Sequence, residues 1–298
     1  MLDDLHAILL RNDPVDIGQH MALLISRLLE VRRLGPECWQ RFRDHFADHD
    51  VCHFLRADPI TGRAAGKPRG YAGDAELIDL IYFGWPGELS VDRAGAKAIY
   101  DYVHSSPSCA AVRYRREVLA NRIDAIASRV DGPTIFAIAA GHLREASLSR
   151  AFRDGKVGRM IALDQDPDSL SEIARCHPVG VEILHNSVKD LLTGEVAIPP
   201  VDLIYAAGLY DYLPDAVAKR LTRVVCRQLK PGGVFLFANF TADVVDAGYM
   251  ESAMDWHLIL RTSAQMAQIA AACGEDYAIR HWTDAYSAIH YCEISRKD

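Results

Sequence analysis

The sequence predicts an α/β fold: a doubly wound, mostly parallel sheet of seven strands, closed at one edge by an antiparallel hairpin and preceded by a helical N-terminal region. Three observations predict it. From about residue 131 short apolar runs alternate with helical stretches, the pattern of a parallel sheet covered on both faces. The last two apolar runs have only a short turn between them, which forces an antiparallel pair, because a parallel crossover needs about a dozen residues or more. Before residue 131 the apolar residues recur at three and four, a helical period. With 298 residues, and about 150 per domain as a guide, the chain divides into a helical region over 1–130 and a sheet domain over 131–298.

The elements follow in order. Asp13-Pro14 starts a helix, with a carboxylate cap, Pro in the first turn and Asp16 behind it. Ile17, Met21, Leu24, Leu28 and Val31 form its buried stripe, and Leu34-Gly35-Pro36 ends it. Trp39, Phe42 and Phe46 mark a second helix. Residues 57–74 break the pattern with four Gly and two Pro and read as a loop. Ala75–Phe83 is helical, and Tyr100–Val130 supplies one or two longer helices. Strands are expected at Thr134–Ala139, Met160–Asp164, Glu182–His185, Asp202–Ala206 and Gly233–Asn239, with a helix over Asp215–Leu229. Lys230-Pro231-Gly232-Gly233 is the turn into the fifth strand. Asp276–Trp282 and Ser287–Ile294 form the edge hairpin.

Composition narrows the function. The 33 basic and 40 acidic residues leave a net charge of −7, which argues against a nucleic-acid groove, where Lys and Arg must replace counterions. Seven scattered cysteines, Cys38, Cys52, Cys109, Cys176, Cys226, Cys273 and Cys292, contain no C-x-x-C pair. No disulfide framework or zinc site is implied. The opening Met1-Leu2-Asp3-Asp4 is acidic where a signal peptide is basic. No apolar run reaches the roughly 20 residues that span a bilayer. These readings point to a cytoplasmic protein with a small-molecule partner and no metal; a homodimer stays open.

An open parallel sheet binds ligands beyond the carboxyl ends of its strands. After the first strand comes Ala139-Ala140-Gly141-His142-Leu143-Arg144-Glu145, where Gly141 permits a tight turn close to a ligand. The second strand ends in Asp164-Gln165-Asp166. Asp164, 23 residues past Gly141, is placed to accept hydrogen bonds from a ribose diol. Asp166 also reads as a helix cap. No G-x-G-x-x-G is present, so a nucleoside with a small charged tail fits better than a dinucleotide. Asn186 and Ser187 end the third strand, suited either to an adenine amino group or to turn chemistry. The fourth strand runs into Gly208-Leu209-Tyr210-Asp211-Tyr212, whose aromatic faces suit a sulfonium cation. Asn239 ends the fifth strand, facing substrate or serving as a cap. Arg113, Arg115 and Arg116 precede the first strand and read either as a solvated face or as the source of a carboxylate-binding group, with Arg115 the candidate to hold a substrate carboxylate. Asp164, Asp166 and Asp168 imitate a calcium loop but lack its Gly and Glu. His142, His185 and His257 have no H-E-x-x-H context, and no G-x-S-x-G elbow occurs.

With Gly141, Asp164, the strand-four segment and Leu229-Lys230-Pro231-Gly232-Gly233 together, residues 131–298 resemble the class I S-adenosylmethionine (SAM)-dependent methyltransferases. The resemblance implies a Rossmann-like, seven-stranded SAM-binding domain. Its first motif departs from D-x-G-x-G-x-G, with His142 and Leu143 after the glycine. A narrower resemblance joins Arg69-Gly70-Tyr71-Ala72-Gly73-Asp74, Gly141 to Ala146, Gly208 to Leu213, Met250-Glu251 and Asp255-Trp256-His257-Leu258. It is to the bacterial 3-hydroxypalmitic acid methyl ester biosynthesis proteins. The azetidine-2-carboxylate synthases, which cyclise SAM, are similar in type.

The resemblance implies Ala140, Gly141, His142, Glu145, Asp164, Gln165, Asn186, Ser187, Gly208 and Leu209 around the cofactor. Tyr71 and Asp74 sit in a Gly-rich loop of the kind that closes over sites. Asp74, Arg115 and Trp256 are then candidates to bind substrate, and Tyr71, Tyr210, Asp211 and Asn239 candidates for the chemistry. Methyl transfer needs chiefly alignment of a nucleophile behind the methyl carbon, worth about 7–11 kcal/mol. A hydroxyl or amine acceptor adds a base such as Asp211, His142 or a tyrosine. Cyclisation of SAM, in a pocket lined by Tyr71, Tyr210 and Trp256, and SAM binding without turnover are the alternatives.

Overall fold

In the computed structural model, residues 2–11, 14–85 and 94–297 are described. The chain separates into two compact units, Met1–Arg113 with Val244–His257, and Tyr114–Asp243 with Leu258–Asp298.

The helical unit contains α1 (Leu2–Arg11), α2 (Pro14–Arg33), α3 (Pro36–Ala47), α4 (Asp50–Leu55), α5 (Pro59–Gly66), α6 (Ala75–Phe83), α7 (Ala94–Ser105) and the start of α8 (Pro107–Ala127). The expected cap Asp13 lies outside the described residues. The α2 stripe is buried as its spacing requires, with Ile17, Met21, Leu24 and Leu28 at 1% exposure or less. Residues 57–74 are not all loop. Asp58 caps α5 by accepting from the Ile60 and Thr61 amides at 3.1 and 2.9 Å, and Pro59 fills the first turn, the same cap-and-proline signal expected at Asp13-Pro14.

The sheet unit carries β1 (Thr134–Ile138), α9 (Arg144–Leu148), α10 (Arg150–Arg153), β2 (Arg159–Asp164), α11 (Pro167–Cys176), β3 (Val181–His185), α12 (Val188–Thr193), β4 (Val201–Ala206), α13 (Asp215–Cys226) and β5 (Leu229–Phe240). After α14 (Ala247–Ser252), which belongs to the helical unit, come α15 (Ser263–Ala270), β6 (Tyr277–Thr283) and β7 (Ile289–Arg296). The strand order is β3-β2-β1-β4-β5-β7-β6. Phe136 of β1 pairs in parallel with Ile161 of β2 and Ile204 of β4, while β7 runs antiparallel to β5 with Cys292 opposite Phe237. Phe136, Ile161, Ile204, Phe235 and Phe237 share one buried face with Leu221 and Val225 of α13 and Ile269 of α15. The alternate residues Ile135, Ala137, Ala162 and Leu203 are buried too, so both faces are covered, as the continuous apolar strands require.

Two boundaries differ from expectation. β5 begins at Leu229, drawing Lys230–Gly233 into an irregular register against Val201 and Leu203. The change from helical unit to sheet unit falls inside α8 rather than at residue 130, and Val244–His257 returns to the helical unit. The reason lies in side chains of that return segment. Gly248 sets α14 against α2 so closely that an added Cβ would lie 2.8 Å from Cβ of Leu28. Tyr249 Oη meets Thr61 Oγ1 at 3.0 Å. Glu251 accepts from Arg32 at 2.9 Å and from the Trp39 indole at 2.6 Å.

Candidate nucleoside site at the carboxyl ends of the strands

The site in the sheet unit lies where β1 pairs with β2 on one side and β4 on the other, so that the winding reverses. The β1 strand leaves through a strained turn. Ala139, Gly141 and Leu143 have φ of 52°, 53° and 52°, left-handed values that non-glycine residues adopt at a cost. Asp164 holds this turn. Its Oδ2 accepts from the Gly141 amide at 2.8 Å and its Oδ1 from the Asp166 amide at 2.9 Å. Burial pushes the Asp164 carboxyl up, and the backbone amides of Asp166, Gly141 and Gln165 pull it back. A carboxylate offers about four lone-pair directions; besides the Gly141 and Asp166 amides, that of Gln165 also bonds it.

The neighbouring residues divide into those engaged by the fold and those left over. Gln165 is exposed, and its carbonyl meets His185 Nε2 at 3.2 Å. Asn186, half-buried, donates to Asp190 at 3.4 Å through its side-chain nitrogen. Ser187 is a cap: its hydroxyl accepts from the Asp190 amide, and Asp190 returns a bond to the Ser187 amide, so turn chemistry accounts for it. Ala140, Gly208 and Leu209 are half-buried. His142 is buried, 3.4 Å from Arg144 Nη2. Glu145 is buried and accepts from the Tyr205 hydroxyl at 2.7 Å; burial raises its pKa.

Tyr210 and Asn239 depart from the catalytic roles expected of them. Tyr210 has no exposed surface; its ring stacks on Phe237 at 4.2 Å and its hydroxyl meets Thr222 Oγ1 at 2.9 Å. Burial drives its pKa far up, so its side chain is core and not a base. Asn239 is also wholly buried. It donates to the carbonyls of Phe240 and Ile259, both at 2.9 Å, and accepts from Arg261 at 2.6 Å, which exhausts its amide on the fold. Asp211 keeps more of its chemistry. Its Oδ1 accepts from the Phe240 amide at 2.7 Å, and burial lifts its carboxyl to about 7 against the pull of Arg115 and Arg261.

Sequence reasoning missed Arg261. It is 1% exposed and bonds the carbonyls of Tyr210 and Leu213, Asn239 and Asp215, fixing the segment after β4. A lone arginine in His257-Leu258-Ile259-Leu260-Arg261 was the only signal, and charge at the end of an apolar run usually means a solvated residue.

Tyr71, Asp74 and Trp256 lie in the helical unit. Asp74 is consumed structurally. Unexposed, it caps α6 at the Leu77 amide and takes Arg63 in a two-pronged ion pair at 2.8 and 2.9 Å. That corrects its assignment to substrate. Trp256 is 7% exposed, buried in its unit, and Tyr71 is half-buried.

No protein-family model matches the chain, and no curated protein matches it. Among solved structures, one from Bordetella parapertussis, described as a possible exported protein, superposes with a TM-score of 0.60 at 17% identity, over 76% of this chain and 80% of that one. Magnesium protoporphyrin IX methyltransferase from Synechocystis PCC 6803, with bound S-adenosylhomocysteine, gives 0.49 at 10% identity, over 66% and 87%. The N-methyltransferase NodS of Bradyrhizobium japonicum WM9 gives 0.45 at 13%, over 62% and 88%. At 17% identity the likeness to the Bordetella structure is one of fold. The seven-stranded sheet with its antiparallel β7 is an α/β, Rossmann-like doubly wound arrangement. Among the described residues, no helix is long and apolar enough to cross a membrane, and no group of three or more His, Cys, Asp or Glu could hold a metal ion.

Proposed function

We propose that the chain is a SAM-dependent transferase that methylates a small molecule at a carboxylate, hydroxyl or amine, in bacterial cytoplasmic biosynthesis. One observation carries the reading. The Gly141 turn and the Asp164 carboxylate are tied together at the switch point, with the carboxylate held by backbone amides and the group still 7% exposed at the strand end. Two acceptors fixed side by side are what the two hydroxyls of a ribose require. Asn186 would meet the adenine, and Arg115 an anionic group of a ligand. SAM brings its own leaving group and an electrophilic methyl, so the chain has to bind, align and exclude water. Asp211, with a carboxyl lifted to about 7, is suited to take the proton of a hydroxyl or amine acceptor at neutral pH.

The same carboxyl supports a second reading, cyclisation of SAM to azetidine-2-carboxylate with loss of methylthioadenosine, because that reaction needs the α-amine neutral. Incubation of the full chain with SAM, with and without a panel of small acceptors, followed by mass spectrometry of the nucleoside, separates these. Acceptor-dependent S-adenosylhomocysteine is the expected product. Methylthioadenosine with no acceptor present selects cyclisation, and binding with neither product marks a non-catalytic SAM protein.

A further inference from the structure

The sheet ends on β6, and among the described residues no strand pairs with its outer edge. Backbone bonds at the two ends of the hairpin fix which groups face outward. The Asp276 carbonyl accepts from the Lys297 amide, and the Asp284 amide donates to the Ile289 carbonyl, both at 3.0 Å. The register between these bonds is unbroken, from Tyr277 opposite Arg296 to Thr283 opposite His290. Bonded pairs alternate along an antiparallel ladder, so Ala278, Arg280 and Trp282 exchange their backbone bonds with β7. Tyr277, Ile279, His281 and Thr283 turn their N–H and C=O groups away from the sheet. Residues 278–281 and 283 are exposed, Ile279 by 40%. Sheet edges are commonly blunted by a proline, a bulge, a cover or a charge. β6 contains no proline, and its register has no bulge. Arg280 is its one permanently charged residue.

A copy of β6 laid antiparallel on this edge sets outward residues against outward residues, which puts the two-fold axis on a residue. With the axis on Arg280, each Arg280 faces its own image and Asp276 faces Asp284, like charge against like charge, which is destabilising. With the axis on Ile279, Asp276 faces Trp282 and Arg280 faces Ala278. With the axis on Ala278, Asp276 faces Arg280 and Glu275 faces His281, each pair occurring twice, while Tyr277 crosses Ile279. Only this register sets opposite charges together. Asp276 and Arg280 are both exposed, and among the described residues neither forms an ion pair. Arg280 packs on the Trp282 ring, 5.0 Å from guanidinium carbon to ring centre, and Trp282 stacks on Tyr291 at 5.1 Å. We propose that β6 is a self-association edge on which a second copy of the chain docks antiparallel, with Ala278 on the two-fold axis and Asp276 of each copy against Arg280 of the other. Such a contact is isologous and closes on itself, joining two sheets into one. It is independent of which ligand the carboxyl ends of the strands bind.

Sedimentation equilibrium on the full chain, from micromolar to near-millimolar concentration, tests this. The parent shows a monomer–dimer equilibrium. R280D and D276R each set like charges together twice and weaken dimerisation on the order of 10-fold or more. The double variant D276R/R280D, with the charges exchanged, recovers it, a reversal that a local effect of either charge on folding would not give. I279P removes an outward N–H that β7 does not use and abolishes the dimer, while far-UV circular dichroism stays that of the parent. Oxidation of A278C reads the register. Across an unbonded antiparallel pair the two Cα atoms lie about 4.5 Å apart, within disulfide reach, so A278C forms a covalent dimer where R280C, and the parent with its native cysteines, do not. A parent that stays monomeric throughout the range overturns the proposal. So does a dimer indifferent to R280D and D276R, or a cross-link through R280C in place of A278C.

Discussion

Asp164 and Tyr210 show what single residues reveal before a structure is known. Asp164 was legible as an acid closing the second strand, 23 residues past a glycine turn. The structure adds that it also braces that turn. Tyr210 misleads for a physical reason. An aromatic residue with a hydroxyl reads the same whether it faces a ligand or the core, and only packing decides. Its ring lies on Phe237 and its hydroxyl on Thr222, so Y210F should lose about 1 kcal/mol of stability, the net worth of a buried hydrogen bond. SAM binding and turnover should stay within about twofold of the parent. Urea unfolding and steady-state kinetics on one preparation check both, and a large fall in turnover at unchanged stability would return Tyr210 to the chemistry.

At the scale of elements, the strands of the parallel sheet were legible because each is a short apolar run bounded by polar turns. Their ends were less so. Lys230–Gly233 carries every sign of a turn, yet it lies between the pairs Val201–Leu229 and Leu203–Val234 as an irregularity within the strand, so β5 starts at Leu229. The helix α5 was hidden by Gly62 and Gly66 around it, although Asp58-Pro59 announces its start. The helix α14 was hidden for another reason: its packing partner α2 is more than 200 residues away in the chain, and such pairing has no local signature. Gly248 is the contact that brings the two together. G248A would force a methyl group to within 2.8 Å of Leu28 Cβ, and overpacking of that kind costs about 1–3 kcal/mol. Denaturant unfolding should show that loss, and full stability in the variant would mean the two helices can part without cost.

For the molecule as a whole, the buried acids set the dependence of stability on pH. Asp211 is held at about 7 and Asp58 at about 6, both raised by burial. A carboxyl in the unfolded chain titrates near ~4. Between ~4 and 7 the folded protein therefore keeps protons that the unfolded chain has released, so stability falls as pH rises through that window and levels off above it. D211N keeps an acceptor for the Phe240 amide and removes the proton. Unfolding curves from pH 5 to 8 should lose the part of the decline nearest neutrality, while the part owed to Asp58 persists; an unaltered curve would show that Asp211 does not titrate there. The net charge of −7 argues against a nucleic-acid groove, but composition is silent on which small molecule is bound. That question turns on a few side chains at the strand ends. Titration of S-adenosylhomocysteine into the full chain and into D164A tests the account most directly. Saturable binding by the parent, weakened in D164A by about 1–3 kcal/mol for the lost hydrogen-bond acceptor, is the predicted result. Equal affinity in both proteins, or no heat from the parent, would contradict it.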